Sequence, residues 1–535
     1  MKKNILLLIV VIFGLISCED FLVEEPQEEP TNANFRKTEA DVISATTTLY
    51  LFNDFQGIYG RGMNLYSLVP SDDFIVGKPK SQIEEIKDFI TSGNGSYTGD
   101  IWPMHFIVVK RANDIIRNVP DLDIDPDVKD FALGEAYFMR GLAYFQLSFL
   151  YGDNNSGGIP IIDETITEDF FIERPASVIK SWSFAAESFS KAATLLPYFD
   201  ATKSDRLGRP HKNAALGYLA RTHLHNAEYN ADSWDTVITA CDEVINSIRN
   251  ALETNFEDAF KIASNWGPEY LWSVPSNTIG DSMFAGASLE NRAWGIYNGW
   301  GYFPPTLELY ESYEAGDARR DATLLAFGDE FEFFGSTRKY TSANNLTGFQ
   351  LKKFLEPYGY AGAAQLNPNG DHPSTNLNLP LLRYSHILLM KAEALIVKNG
   401  PGAGDAEINL VRQRAGLAAK IGATLEDLKS ERRAEFAGEL LGRYEDLCRW
   451  GDVSEIRKSL HGKRHIGVEF DLTVTASTNL NFGFPFLSTD FTEIFPTTEV
   501  WQERSNFILE THRVWPIPAN AIDTSRGNLS QNLGW

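Results

Sequence analysis

The stretch ENRAWGIYNGWGYFPP gathers Trp294, Tyr297, Trp300, Tyr302 and Phe303 into one short, glycine-rich run. Flat rings stack on apolar ring faces. A sugar presents such a face together with hydroxyls that amide, carboxylate and guanidinium groups reach. The glycines interrupt any helical or strand period, so the rings belong to a loop. Rings on a loop either meet a ligand or fold back and fasten the loop to the core, and the pattern leaves both uses open. Three further stretches carry residues suited to the same chemistry. LVPSDDF holds Asp72 and Asp73, GDIWPMHF holds Trp102, and NWGPEYLW holds Trp266. Trp102 reads equally well as a core residue. Trp272 stands in the alternating run EYLWSVPS and reads as a core strand residue.

Catalytic patterns are missing. There is no HExxH, no GxSxG, no P-loop and no GxGxxG. Of nine histidines, only His223 with His225 and His461 with His465 are close in sequence. The first pair diverges around a helix and the second lies in a basic loop, so neither has metal-ligand spacing. NPNGD (residues 367–371) has oxygen ligands at short spacing, yet a plain turn accounts for it better than calcium. The expectation is therefore no cofactor and no metal. With 72 acidic residues, a glycosidase carboxylate pair is beyond the reach of pattern reading.

The elements that must position these residues are mostly helical. In DSWDTVITACDEVINSI, Trp234, Val237, Ile238, Cys241, Val244 and Ile245 form one apolar stripe. KNAALGYLARTHLHNAEY aligns Ala215, Leu219, Ala220, Leu224 and Ala227, with alanines that let helices approach closely. Together they predict a helical hairpin of the tetratricopeptide kind. GEAYFMRGLAYFQLSFLYGD, NLPLLRYSHILLMKAEALIVKNG and AGDAEINLVRQRAGL share that texture without a fixed repeat. Residues from about 252 to 378 and from about 462 to 535 are loop-rich, with strand-like pieces such as EYLWSVPS and GFQLKKFL. Loop-dense segments of this length inside a helical protein are usually functional.

The chain opens on Lys2 and Lys3 and an apolar run over residues 5–15, shorter than the roughly 20 residues a membrane span requires. Leu15-Ile16-Ser17-Cys18 matches a bacterial lipobox, so residues 1–17 read as a signal peptide and Cys18 as the lipidated first residue of the mature protein. Residues 18–34 are acidic and proline-bearing and read as a leash. The remainder, 35–535, reads as one domain. The 535 residues are 43% hydrophobic with a formal charge of −24, which fits a large core and argues against nucleic acid or an electrostatic membrane patch. Cys241 and Cys448 stand far apart in helical runs and read as small core residues.

Several stretches, taken in order, resemble the SusD/RagB family. EAYFMRGLAYFQLSFLYGD with GGIP, GRPHKNAALGYLARTHLH, LPLLRYSHILLMKAEAL with INLVRQRAGL, ERRAEFAGELLGRYEDLCRWGD, and RVWPIPANAIDTSRGNLSQNLGW each match a family segment. The lipobox start belongs to the same pattern. The resemblance implies a mostly α fold, with tetratricopeptide-like helix pairs as scaffold and loop-rich insertions carrying the ligand site. It also implies a non-catalytic, cell-surface outer-membrane lipoprotein of Bacteroidetes, whose acidic leash is an export address. Such a protein binds a polysaccharide or oligosaccharide and passes it to a SusC-like TonB-dependent transporter. A RagB-like oligopeptide binder and a surface glycoside hydrolase are the alternatives. The resemblance further points to Trp294, Trp300 and Tyr302 as stacking rings, with Asp72, Asp73 and Trp102 lining the site and Trp266 as a further candidate. In ERRAEFAGELLGRYEDLCRW, Glu431, Arg432, Glu435, Glu439 and Arg443 fall at spacings where charges meet along one helix. Arg443 and Asp446 read as buried structural ions, and Asn113 as a structural asparagine.

Overall fold

The fold follows from how each apolar stripe finds a partner. In the computed structural model the described residues are 38–53, 58–77, 80–96, 98–168, 171–276, 301–326, 329–333, 336–339, 347–354, 365–366, 373–374, 376–440, 442–463, 498–502 and 506–535. Helix α1 (Ile101–Asn118) buries Ile101, Trp102, His105, Val108, Val109, Ala112, Ile115 and Ile116 on one face. It packs on α2 (Pro126–Tyr151), which starts where Asp125 accepts bonds from two backbone N–H groups and Pro126 takes the first turn. From Gly134 to Tyr151 nearly every residue of α2 is buried, so this helix is the centre of the scaffold. Helix α3 (Val178–Leu195) packs on α2, α4 (Lys212–Asn226) on α3, and α5 (Ser233–Asn246) on α4. Cys241 is buried on the α5 stripe that the sequence pattern outlines, and Cys448 is buried as well, both as free thiols.

After α5 the chain leaves the stack and returns as α6 (Tyr384–Asn399), which packs on α5 and α4. Helices α7 (Asp405–Arg414), α8 (Leu425–Phe436) and α9 (Arg443–Trp450) complete the set. The stack is therefore continuous across a long insertion. EYLWSVPS does form a strand, Tyr270–Val274, which pairs antiparallel with Leu379–Arg383. Trp272 in it is 2% exposed and lies against Phe138 of α2, with ring centroids 4.7 Å apart, which seats the insertion on the scaffold. GFQLKKFL supplies Phe349–Leu351, paired with Leu324–Ala326.

Two sequence expectations change. The run NLPLLRYSHILLMKAEALIVKNG is not helical from its start. Leu379–Arg383 is strand, because Tyr270–Val274 lies beside it, and the helix begins at Tyr384. ERRAEFAGELLGRYEDLCRW is two helices rather than one. The break falls at Ala437 and Gly438, where φ of +78° ends α8. Its charges accordingly find long-range partners.

Those partners form a buried ionic lattice. Glu435 is 0% exposed and accepts from Arg383 Nη1 at 3.0 Å, from Arg319 Nη1 at 3.4 Å, and from Arg414. Arg383 also donates to Glu439 at 2.7 and 2.9 Å and to Glu269. Arg414 reaches the other oxygen of Glu269 at 2.9 Å. Arg319 is paired with Asp317 at 2.7 Å and Glu431 at 2.6 Å, Lys353 with Glu439 at 2.9 Å, and Arg412 with Glu431 at 3.1 Å. Burial opposes ionisation of Glu435, but the guanidinium groups of Arg414, Arg383 and Arg319 outweigh it and hold the carboxyl well below its usual range. A second group joins Asp446 to Arg432 and Arg449, and Arg449 to Glu393. Asp446 is thus the buried ion the sequence pattern suggested.

One buried carboxyl lacks such partners. Glu445 is 8% exposed; one oxygen accepts from Ser67 Oγ at 3.1 Å and the other meets no donor. Burial pushes its pKa from 4.5 up to about 8.

Two outcomes follow from these charges. Arg383→Met leaves Glu269, Glu435 and Glu439 short of a cation and is expected to lower the unfolding free energy by about 3–5 kcal/mol. Urea denaturation reads this, with Lys398→Met, which loses only an exposed pair with Asp235, changing it by less than about 1 kcal/mol. Because folding raises the Glu445 pKa, the native state holds more protons than the unfolded chain between its ordinary value of 4.5 and about 8. Stability attached to this group is full below that window and is lost as pH rises through it. Glu445→Gln should remove the loss and become the more stable protein by about 2–4 kcal/mol at pH 8.5. Equal pH slopes for the two proteins between pH 6 and 8.5 would refute this.

Candidate ligand-binding surface

Two stretches flagged by the sequence are brought together by backbone pairing. Ile75 N–H donates to Pro304 O and Gly77 N–H to Tyr302 O, each at 3.0 Å, and Thr306 N–H donates to Asp73 O at 2.9 Å. Phe74 and Pro305 form the antiparallel bridge between these hydrogen bonds. Gly77 is required here, since a Cβ on it would lie 2.2 Å from Gly301 O. The end of the aromatic stretch is thereby clamped to the segment that follows Asp72 and Asp73. Trp294 and Trp300 lie outside the described residues, as do Cys18 and the NPNGD stretch. The described chain stops at Ser276, whose N–H donates to Asn378 Oδ1 at 3.0 Å, and resumes at Gly301.

The rest of the clamp faces inward. Tyr302 and Phe303 are 3% and 0% exposed, so Tyr302 fastens the loop and does not offer its ring to a ligand. Asp72 and Asp73 are 0% and 1% exposed. Arg443 Nε and Nη2 hold Asp72 at 2.8 and 3.0 Å, Lys458 Nζ lies 3.3 Å away, and Arg433 Nη2 holds Asp73 at 2.7 Å. Burial alone would raise Asp72, yet Arg433 and Arg443 overcome it and keep the carboxyl far below the usual range. Burial raises Asp73, with Asp72 beside it adding to the effect. These aspartates anchor the clamp to α8 and α9, and the expectation that they line an open site is corrected on that ground. Arg443, taken from the sequence as a structural ion, is the group that joins them.

Beside the clamp, His461 pairs with Glu308, on a short helix (Leu307–Glu311) that begins after Thr306. Both are partly exposed, at 29% and 18%, and with Lys458 they give this surface its polar groups. Among the described residues no three His, Cys, Asp or Glu side chains are arranged to hold a metal.

Trp102 takes the core alternative in part. It is 6% exposed and meets Tyr151 edge-on at 5.2 Å and Phe106 at 5.1 Å. Its remaining surface forms part of an open cleft of about 460 Å³ bounded by α1, by Pro160, Ile162, Phe171 and Ile172, and by the C-terminal residues 520–529. Phe106, Phe171, Asn520 and Asn528 share that lining, and the sequence pattern pointed to none of them. They come from three distant segments and no spacing links them. Trp266 is half-buried and packs edge-on to Tyr270 at 5.1 Å, away from both places. Asn113 is structural: it donates to Ile162 O at 2.8 Å and accepts from Arg140 at 2.9 Å. His225 is buried against Trp182 while His223 is only partly covered, so the two diverge as the helical pattern requires.

Comparison with known proteins agrees with this architecture. Residues 268–535 match the model of the SusD family, and residues 20–224 match a family described as starch-binding associating with outer membrane. The chain is 25% identical to SusD-like protein P2 of Formosa agariphila, over 85% of this chain and 91% of that protein. It is also 25% identical to a SusD-like protein of Bacteroides ovatus, over 84% and 83%. A SusD-like protein from Bacteroides fragilis superposes with a TM-score of 0.73 at 21% identity, over 94% of this chain and 99% of that one. Surface glycan-binding protein A from Bacteroides thetaiotaomicron, in complex with laminarihexaose, superposes with a TM-score of 0.66 at 21% identity, over 92% and 99%. The helical stack, the clamped insertion and the matched segments lead to one conclusion: this chain belongs to the SusD family.

Proposed function

We propose that this protein is a cell-surface lipoprotein, anchored to the outer membrane through Cys18, that binds a polysaccharide or oligosaccharide without cleaving it and hands it to a SusC-like TonB-dependent transporter. The observation that carries the reading is the clamp between residues 73–77 and 301–306. It fixes the end of the glycine- and aromatic-rich stretch on a rigid, ion-paired base, which is what a stacking loop needs if its rings are to hold a fixed spacing. Family membership supports the same reading. So do the relatives described as glycan-binding, one of them in complex with laminarihexaose and another described as laminarin-binding. Trp294 and Trp300 are the proposed stacking residues, with His461, Glu308 and Lys458 as polar groups beside the clamp. Asp72 and Asp73 contribute as its base.

Affinity electrophoresis of the detergent-solubilised full chain through gels containing a panel of polysaccharides tests this. Retardation by one glycan with no new reducing ends is expected, and Trp294→Ala or Trp300→Ala should weaken it roughly three- to tenfold. Migration unaffected by every polysaccharide, or release of products, would overturn the reading. Cys18→Ala should move the protein from the membrane to the soluble fraction, because one lost anchor removes the acyl chains that hold it. Retention of that variant in the membrane fraction would contradict the anchor.

A further inference from the structure

The cleft beside Trp102 has a chemistry of its own. Its described lining is mainly apolar, with Phe106 and Phe171 among its walls, and Lys110, Asn520 and Asn528 supply polar groups. No acidic residue is among them, although the chain carries 72 acids against 48 bases. Its volume falls in the range of small-molecule sites. Glu173 and Asp523 are exposed neighbours of the lining in sequence and do not line it.

A strained residue follows the lining residue Ser525. The short helix Ala519–Thr524 ends at Ser525, and the next residue, Arg526, has φ of +57°. That position favours glycine, yet the glycine follows one place later as Gly527. Non-glycine residues held in this region point to a use for the side chain. The Arg526 guanidinium lies over the Phe171 ring, 4.1 Å from its centroid. The guanidinium carries several N–H donors, and no described carboxylate pairs with it. The turn is held rigidly: Leu529 N–H donates to Ser525 Oγ at 3.1 Å and Ala519 N–H to Asn94 Oδ1 at 2.9 Å. An aromatic wall, amides, and a cation beside that wall together suit a flat ring that bears a carboxylate.

We propose that this cleft is a second ligand site, taking a carboxylated sugar of the uronate class, with its ring face on Phe106, its carboxylate toward Lys110 and the Arg526 guanidinium that Phe171 holds, and its hydroxyls at Asn520 and Asn528. The inference rests on the glycan-binding reading and adds to it the acidic units of a mixed glycan. It separates two tasks, stacking of the chain beside the clamp and recognition of charge in the cleft.

Isothermal titration calorimetry on the detergent-solubilised full chain tests it, with trigalacturonate as probe, maltotriose as neutral comparator and benzoate as an aromatic acid. Trigalacturonate should bind. Arg526→Asn and Phe171→Ala should each weaken it about tenfold or more, while Lys398→Met, outside the lining, leaves it unchanged. Asparagine accepts the left-handed backbone, so Arg526→Asn should keep its thermal midpoint. Binding that ignores both substitutions, or equal Arg526-dependent binding of maltotriose, would overturn the proposal. So would benzoate alone showing dependence on Arg526. If trigalacturonate fails to bind while a polysaccharide still retards the protein, the second site falls and the glycan reading stands. If nothing binds in either experiment, both fall.

Discussion

Glu435 is the point on which the structure closes. A carboxylate with no exposure stays ionised only where cations surround it, and its cations arrive from three separate places. Arg319 comes from the insertion, Arg383 from the strand that ends it, and Arg414 from the end of α7. Each of these arginines in turn needs further acids: Asp317 and Glu431 for the first, Glu269 and Glu439 for the second, Glu269 for the third. No one segment can bury its charges alone. The lattice therefore links Glu269, Arg319, Lys353, Arg383, Arg414 and α8, and each of these charges is compensated only where the others are in place.

That constraint explains how a helical stack tolerates so long an insertion. Helices α4, α5 and α6 pack as consecutive members although the chain departs between the last two. What keeps the departure from disturbing the stack is a pair of seals. Trp272 packs on α2 through the strand at one side, and the ionic lattice pins the other side to α8. The clamp between residues 73–77 and 301–306 then uses Arg443 and Arg433, neighbours of the same lattice on α8 and α9.

Much of the scaffold was legible in the residues. The stripe from Trp234 to Ile245, the small residues of α4, and the strands at EYLWSVPS and GFQLKKFL are local patterns, and local patterns depend on periods that the chain itself displays. The strand at Leu379–Arg383 was not legible, since its apolar run reads as helix until Tyr270–Val274 lies beside it. The break at Gly438 escaped for a similar reason. Charges at helical spacing suggest one continuous helix, and only their distant partners require two.

The candidate surface divides along the same line. Residue types and order along the chain were enough to establish a helical protein of this family, with an ordered set of charged signature segments. Whether a given ring or carboxylate faces solvent was decided only in three dimensions. Asp72 is buried because Arg443, 371 residues away, meets it, and Tyr302 is buried because Gly77 lets its backbone approach. The cleft beside Trp102 draws its walls from α1, from Pro160, Ile162, Phe171 and Ile172, and from the C-terminal turn. Exposure is a property of pairs of segments, and a single pass along a chain records only one member of each pair.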